Sequence, residues 1–487
     1  MKFAVQPPAL RPLFTFSLAL AVALSLPGMG AEIPAWRANQ NGVYETDAAP
    51  LDWKSKLLFE VPLESKSNGT PILVDDKLIF TAEPAWLICA DSKTGEVLWR
   101  RSNDLMELNN LSEQKREALT AHKARIASIE QEVRRLRNDT RRLQRALDND
   151  EGNTTAEASL REKTRQMDAL NEEIDTLRAD KEFSQFVTPP AHNTNGYSSY
   201  TPVFDGKRIY ATFGLGVVVA YDLNGNRIWS RFLEHPDHRW GGATMPQIVD
   251  GKLIVRFDHY AALNPANGEI LWTAPSEVVF GTPAPFSVEG QHYLFTPRGE
   301  VIRASDGKVI QKGLVFLHAT RDWSIFNTPT VVDDVIYTVS GVEKANGDAY
   351  AYRIPRSVKK LEASGLEQVW HTKVEKDRYY SSVLIHDGIK YIVTRDNLVT
   401  ALDASNGKII YTHQIKGAKG TAYPSMVLAG GKIYVGIDDG HLVVMQPGRR
   451  FKELARHQVG PYRSTPIFSD SMAFLRTYES LQAVSSL

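Results

Sequence analysis

The sequence predicts an all-β fold: an eight-bladed β-propeller interrupted by an inserted antiparallel α-helical coiled-coil hairpin. Three observations carry the prediction. The phrase Ala90–Trp99 (ADSKTGEVLW) recurs as Ala220–Trp229, Ala262–Trp272 and Ala401–Tyr411, and in worn form as Arg303–Ile310. A second phrase stands upstream of the copies: Thr, Ser or Met before Pro, apolar residues, then Asp-Gly-Lys or Asp-Asp-Lys. It is clearest at Thr70-Pro71 with Asp76-Lys77 and at Thr201-Pro202 with Asp205-Gly206-Lys207. One stretch of about eighty residues drops both phrases and turns to a heptad pattern of apolar residues.

At the N-terminus, Lys2 and Arg11 precede an apolar run over Leu13–Leu26, followed by Gly28-Met29-Gly30. A run of about fourteen residues is short for a bilayer span and fits the core of a signal peptide ending at small residues. Residues 1–30 are therefore expected to be cleaved and the protein to be periplasmic or secreted; an uncleaved anchor is the alternative. Cys89 is the one cysteine, so no intrachain disulfide and no lipidated mature N-terminus are expected. Its setting, Ala85–Ala90 (AWLICA), is that of a small buried hydrophobe.

Each copy of the phrase reads as a hairpin. An Asp or Asn ends one strand, Thr-Gly or Asn-Gly turns the chain, and an apolar pair leads into Trp or Tyr. Gly95 is needed in the first because only Gly takes positive φ without steric penalty. Units open at Pro71, Pro202, Pro246, Pro283, Pro329, Ser382, Pro424 and Pro466. After the first gap the intervals are about 40–50 residues, one four-stranded blade each. Eight blades follow, or seven if the Trp-free unit Thr282–Gly313 is absorbed elsewhere. In the fifth unit, Pro355–Leu366 reads as a long loop. The last unit has strands around Ser471–Arg476 and Leu481–Val484 and lacks its Trp-bearing strand, whereas Leu57–Val61 (LLFEV) is a strand without a partner of its own. Pairing the two closes the ring and removes a free edge. The expected organisation is 1–30 signal peptide, 31–102 closing strand and blade one, 103–186 hairpin insertion, and 187–487 blades two to eight.

Within the insertion, Leu119, Ile126, Ile129, Val133, Leu136, Leu143 and Leu147 form one apolar seam, and Leu160, Met167, Leu170, Ile174 and Leu177 a second. Asp148–Thr155 separates them with Gly and helix-capping residues. Arg134, Arg135 and Arg137 are expected to face Asp168, Glu172, Glu173 and Asp175, setting register more than stability at about 0.3–0.5 kcal/mol for each exposed pair. The arm is expected either to dock a protein partner or a second copy, or to brace the propeller. It leaves the chain between two blades, on the face that holds the other inter-blade connections.

Those connections carry the candidate ligand-binding residues. They are His235, His238, Arg239 and Trp240 before blade three, Arg321 and Trp323 before blade five, Arg378 and Tyr379 before blade six, and Tyr462 and Arg463 before blade eight. Guanidinium donors beside aromatic faces suit a carboxylate-bearing peptide, a sugar or a planar acidic cofactor. The plainer reading is that the aromatics wedge blades apart and the arginines cap carbonyls. A metal site from His235, His238 and His192 is weaker, since Pro236 stands between the first two imidazoles. No catalytic or metal-ligating residue is assigned: no nucleophile elbow, phosphate loop or dinucleotide fingerprint occurs, and Gly214-Leu215-Gly216 is a β-turn. With 57 basic and 57 acidic residues the formal charge is zero, so no global field argues for nucleic acid.

The paired phrases resemble the quinoprotein-type (PQQ-like) β-propeller repeat, in which the Trp docks one blade on the next. The resemblance covers roughly residues 33–102 and 186–487. For the enzymes of that family it implies pyrroloquinoline quinone, calcium, and oxidation of alcohols or sugars. Here the vicinal cysteine pair of the alcohol-oxidising members is absent, and no quinone or calcium ligand can be matched. The chain is more similar to the BamB-like scaffold end of the family, without quinone, although the coiled-coil insertion is foreign to it. The expectation is an exported non-catalytic binding or scaffolding module with no cofactor, associated with membrane only through its partners. A PQQ-dependent dehydrogenase and a carbohydrate- or peptide-binding propeller are the alternatives.

Overall fold

Four-stranded antiparallel sheets follow one another along the chain, and at several junctions the turn phrase packs one on the next. The computed structural model describes residues 32–38, 40–47, 49–108, 111–149, 152–189, 194–236, 238, 240–276, 280–316, 326–469 and 472–485. From inner to outer strand, sheet 1 runs from Ile72–Val74 to Val97–Ser102, sheet 2 from Val203–Phe204 to Arg227–Phe232, and sheet 3 from Gln247–Val249 to Ile270–Ala274. Sheet 4 runs from Ala284–Val288 to Val309–Gln311, sheet 5 from Thr330–Val332 to Glu367–Val374, and sheet 6 from Leu384–His386 to Ile409–Gln414. Sheet 7 runs from Val427–Ala429 to Glu453–Gln458 and gains a fifth, parallel strand, Val43–Tyr44. Sheet 8 starts at Ile467–Phe468, and its outermost strand is Leu57–Pro62, antiparallel to Ser480–Ser485.

The phrase-ending Trp lies on the outer strand and reaches the next sheet's turn. Trp99, Trp229, Trp272 and Trp370 donate their Nε1–H to the carbonyls of Leu223, Pro265, Ala304 and Ala404 at 2.8–3.1 Å. Each ring also lies flat against the glycine of that turn. A Cβ on Gly225, Gly268, Gly307 or Gly407 would come within 2.7 Å of the indole. The turn glycines are thus fixed twice, by positive φ and by the ring above them. At the closure Phe59 of sheet 8 takes the Trp's place over Gly95 of sheet 1.

At the inner ends runs a closed circuit of hydrogen bonds. Proceeding round it, the backbone N–H of Thr70 donates to Thr201 Oγ1, Thr201 to Met245 Sδ, Met245 to Thr282 Oγ1 and Thr282 to Thr328 Oγ1. Thr328 then donates to Ser382 Oγ, Ser382 to Ser425 Oγ, Ser425 to Thr465 Oγ1 and Thr465 back to Thr70 Oγ1, all at 2.9–3.4 Å. One residue comes from just before the inner strand of each sheet. This explains the recurrent Thr or Ser of the second phrase: its hydroxyl accepts a buried N–H that no strand can satisfy.

The N-terminal segment crosses the inner strands beneath this circuit. Ile33 bridges Leu73 of sheet 1, Pro34 accepts from Phe204 N of sheet 2, and Gly42 accepts from Leu428 N of sheet 7. Arg37, with no exposed surface, fixes the crossing. Its guanidinium donates to Val383 O (2.9 Å) and Met426 O (3.1 Å) as well as to Gln40 O and Asn41 O. Burial pushes its pKa down to about 10. Cys89 is fully buried, and burial raises its thiol pKa to about 12.

The inserted stretch forms α1 (Glu113–Asn149) and α2 (Thr154–Ala179), which pack together through Ile129, Val133 and Ile174, with Met167, Leu170 and Leu177 beside them. At about 1.5 Å per residue, α1 is roughly 55 Å long. Its first turns join the main body: Leu119 packs with Leu105, Phe186 and the apolar faces of sheets 1 and 2. The ion pairs differ from those expected. Arg134 and Arg135 bind Glu130 and Glu132 of their own helix, and the bonds between helices are Arg125–Glu173, Arg178–Glu130 (2.7 Å) and Lys163–Asp139 (3.0 Å). Arginines three or four residues from a Glu on one helix face find it before any partner helix.

Pro355–Leu366, expected as a loop, contains the short helix α3 (Val358–Ser364), capped by Ser357 Oγ, which accepts Lys360 N–H, and anchored by buried Leu361. Among the described residues no helix is long and apolar enough to cross a membrane.

Candidate functional site

The loops from the outer strand of one sheet to the inner strand of the next converge above the circuit, around a cavity of about 260 Å³. Circuit residues such as Thr282, Ser382 and Thr465 line its lower tier. The upper tier is built from the residues two positions before each circuit member: Asn68, Ser199, Ala243, Phe280, Phe326, Tyr380, Tyr423 and Arg463. One wall is small and polar, where Asn68 Nδ2 donates to Thr194 O (2.7 Å) and to Ser199 Oγ (2.9 Å). The opposite wall is a continuous aromatic shelf.

Along that shelf Phe280 and Phe326 stack at 5.6 Å, Phe326 meets Tyr380 edge-on at 4.8 Å, and Tyr380 stacks on Tyr423 at 4.5 Å. Arg463 ends it, its guanidinium 3.9 Å above the Tyr423 ring. Burial, reinforced by Tyr380, raises the Tyr423 phenol to about 12, so it stays a neutral face and hydrogen-bond donor. Trp36 from the N-terminal segment and Trp240 complete the lining.

Of the residues singled out from the sequence, Trp240, Arg378 and Arg463 line this cavity. Arg239, Arg321 and Trp323 lie outside the described residues, as do His192, Asp237 and His318. Tyr379 and Tyr462 are not at the opening. Both are fully buried among the sheets, their hydroxyls donating to Glu375 O (2.7 Å) and His441 O (3.0 Å). Parity explains the split: Arg378 and Arg463 stand four and two residues before a circuit member, whereas both tyrosines stand three before, and an extended chain alternates its faces. His235 and His238 do not converge. His235 Nε2 meets Ser184 O at 3.0 Å, at the root of the insertion, and His238 lies edge-on to Phe280 at 5.7 Å. Among the described residues no group of three His, Cys, Asp or Glu is arranged to hold a metal.

Most of the shelf went unread. Phe280, Phe326 and Tyr423 have no arginine beside them, so the Arg/aromatic pattern passed over them. Counting back two residues from each unit-opening Thr or Ser finds all three.

The arginines are not free charges. Arg463 pairs with Asp438 at 3.0 Å and donates to Thr194 O, and Arg378 lies 3.8 Å from Glu343. Among the described residues, the two arginines that line this mouth thus each stand beside a carboxylate.

Sheets arranged in sequence around a side-chain-lined cavity define a propeller-like repeat protein. The chain belongs to the PQQ-like β-propeller repeat family: the family model described as Outer membrane protein assembly factor BamB matches residues 146–359 and 340–449. A curated relative, the outer membrane protein assembly factor BamB of Moranella endobia (strain PCIT), is 24% identical over 259 residues, 50% of this chain. The match spans 62% of that relative's length. The crystal structure of BamB from Moraxella catarrhalis superposes with a TM-score of 0.54 at 12% identity, covering 88% of this chain and 99% of that one, and shares its fold. A europium-containing methanol dehydrogenase aligns over 93% of this chain and 89% of its own, with a TM-score of 0.45 and 10% identity.

Proposed function

We propose that this protein is an exported, non-catalytic binding and scaffolding module of the cell envelope. Its sheets act as the eight blades of one closed propeller, and α1–α2 forms an antiparallel coiled-coil arm. The eight-membered circuit supports the blade count, and the apolar run Leu13–Leu26 supports export. Membership of a family whose model is described as an outer membrane protein assembly factor supports the envelope setting and a protein partner. The observation that carries the non-catalytic reading is the charge matching at the mouth. With Arg463 held by Asp438 and Arg378 beside Glu343, the site offers an aromatic shelf and hydroxyls, a surface for stacking rather than for polarising a bond.

Titration of the purified protein with pyrroloquinoline quinone and calcium tests this, because Trp36 and Trp240 line the cavity and report on anything entering it. The expected result is no saturable quenching and no dye-linked oxidation of alcohols or sugars. Saturable quenching with dye reduction would replace the scaffold with a PQQ-dependent dehydrogenase. The shelf from Phe280 to Tyr423 specifically favours a second reading, capture of a sugar or an aromatic peptide side chain at the mouth. That reading predicts ligand-dependent quenching lost in Tyr423→Ala, without turnover.

A further inference from the structure

The distal half of α1 carries a charge pattern that neither the propeller nor α2 uses. Six arginines, Arg134, Arg135, Arg137, Arg141, Arg142 and Arg145, fall in three turns of helix with a single acid, Asp139, among them. At about 100° per residue they occupy an arc of about 160° on the side away from the seam of Ile129, Val133 and Leu136. All six are exposed. Arg134 and Arg135 have partners on their own helix, but among the described residues Arg137, Arg141 and Arg145 have no carboxylate within ion-pair distance. These three stand four residues apart in turn, and like charges at that spacing repel along a helix. The local sequence therefore works against the helix it sits in, and an external anion would relieve the repulsion.

We propose that this face of α1 binds an anionic lipid surface through headgroup phosphates. The choice of a membrane over a protein rests on what surrounds the arginines. From Arg134 to Asn149 the exposed residues are Arg, Asn, Gln, Asp and one Ala; Leu136, Leu143 and Leu147 turn towards the seam. A stable protein interface needs an apolar or aromatic centre from which water is excluded, and this face has none. A convex, wholly polar stripe of cations instead suits a diffuse layer of phosphates, where each Arg contributes independently of exact placement. The near end of the arm has the opposite character, with Asp168, Glu172 and Asp175 exposed on α2. The arm thus presents its far half to the membrane and leaves its root and the channel mouth for a protein partner. This goes beyond the scaffold reading and revises the expectation that the membrane is reached through partners alone.

The test is flotation of the mature protein, residues 31–487, with vesicles of phosphatidylcholine alone or mixed with phosphatidylglycerol. Expected is binding to the mixed vesicles, weakening as salt rises, and none to phosphatidylcholine. The triple variant Arg137→Gln, Arg141→Gln, Arg145→Gln should partition on the order of a hundredfold more weakly, with undiminished helical circular dichroism. The triple Arg→Lys variant, which keeps charge and helix propensity, should bind as the parent does and guards against an effect of misfolding. Equal binding by the Gln variant, or loss of binding by the Lys variant, would overturn the proposal. So would competition by inorganic phosphate at constant ionic strength, or binding to polyglutamate without binding to vesicles.

Discussion

The backbone N–H of Thr465 donates to Thr70 Oγ1 at 2.9 Å, joining two residues 395 positions apart and completing the inner circuit. Every member of the circuit is both donor and acceptor, so losing one hydroxyl strands its neighbour's N–H. Thr328→Val keeps the shape of the side chain and leaves the buried Thr282 N–H without its acceptor. An unsatisfied buried donor costs about 1–3 kcal/mol. The urea midpoint should fall by that energy divided by the slope of the transition, the slope itself unchanged, and Thr328→Ser should restore most of it.

The turn glycines allow packing to be separated from backbone strain. Gly268 (φ +70°) lies under the Trp229 ring, whereas Gly290 (φ +77°) has nothing within 4 Å of where a Cβ would stand. Gly290→Ala should cost only the left-handed conformation, about 1–2 kcal/mol. Gly268→Ala should add the overpacking of a filled site, about 1–3 kcal/mol more. Thermal or urea unfolding of the pair reads the difference. Equal losses would mean that the Trp-on-Gly contact contributes nothing to blade stacking.

These two devices also mark how far the sequence could be read. Trp99, Trp229 and Trp272 and their turns were legible because φ and ring size restrict those positions to Gly and a large aromatic. The pairing of Leu57–Pro62 with the last strand was legible as a missing partner on one side and an unpaired strand on the other. Most of the shelf was not, because Phe280, Phe326 and Tyr423 are constrained only by facing the channel, a property of their offset from the circuit and not of their neighbours. Tyr379 and Tyr462 misled for the converse reason: they adjoin arginines in sequence while facing the opposite way. Arg37 gave no signal, since its partners are backbone carbonyls of Val383 and Met426, invisible to any pattern of side chains.

Lys390 should make stability depend on pH. It is fully buried beside Trp370, its Nζ donating to Thr338 O (2.7 Å) and Tyr350 O (3.1 Å), and burial holds its pKa well below the ordinary lysine value. As pH rises towards that ordinary value, about 10.4, the native protein releases a proton that the unfolded chain keeps. The unfolded state then binds more protons, so this group's contribution to stability rises with pH and reaches its full value above the unfolded pKa. Lys390→Met removes this titrating group. The stability of the parent relative to the variant should increase from pH 7 to pH 10 in urea titrations, and a flat or falling difference would contradict the assignment.

Arg37 is predicted to hold the N-terminal segment across the channel as one unit. Its Nη2 donates to both carbonyls, just before the inner strands of sheets 6 and 7, while Nη1 reaches Gln40 O, a planar two-nitrogen fork that a lysine's single ammonium does not reproduce. Arg37→Lys should therefore destabilise by about 1.5–3 kcal/mol, the range for hydrogen bonds to a charged group. The more specific readout is amide exchange. Leu73, Phe204 and Leu428 each donate their N–H to the segment, at the carbonyls of Ile33, Pro34 and Gly42. If Arg37 fastens the whole crossing, all three amides exchange faster in the variant while the Thr282 amide of the circuit keeps its rate. Acceleration at Leu428 alone would mean that the two ends of the segment are held separately, with Arg37 securing only the end beside sheet 7.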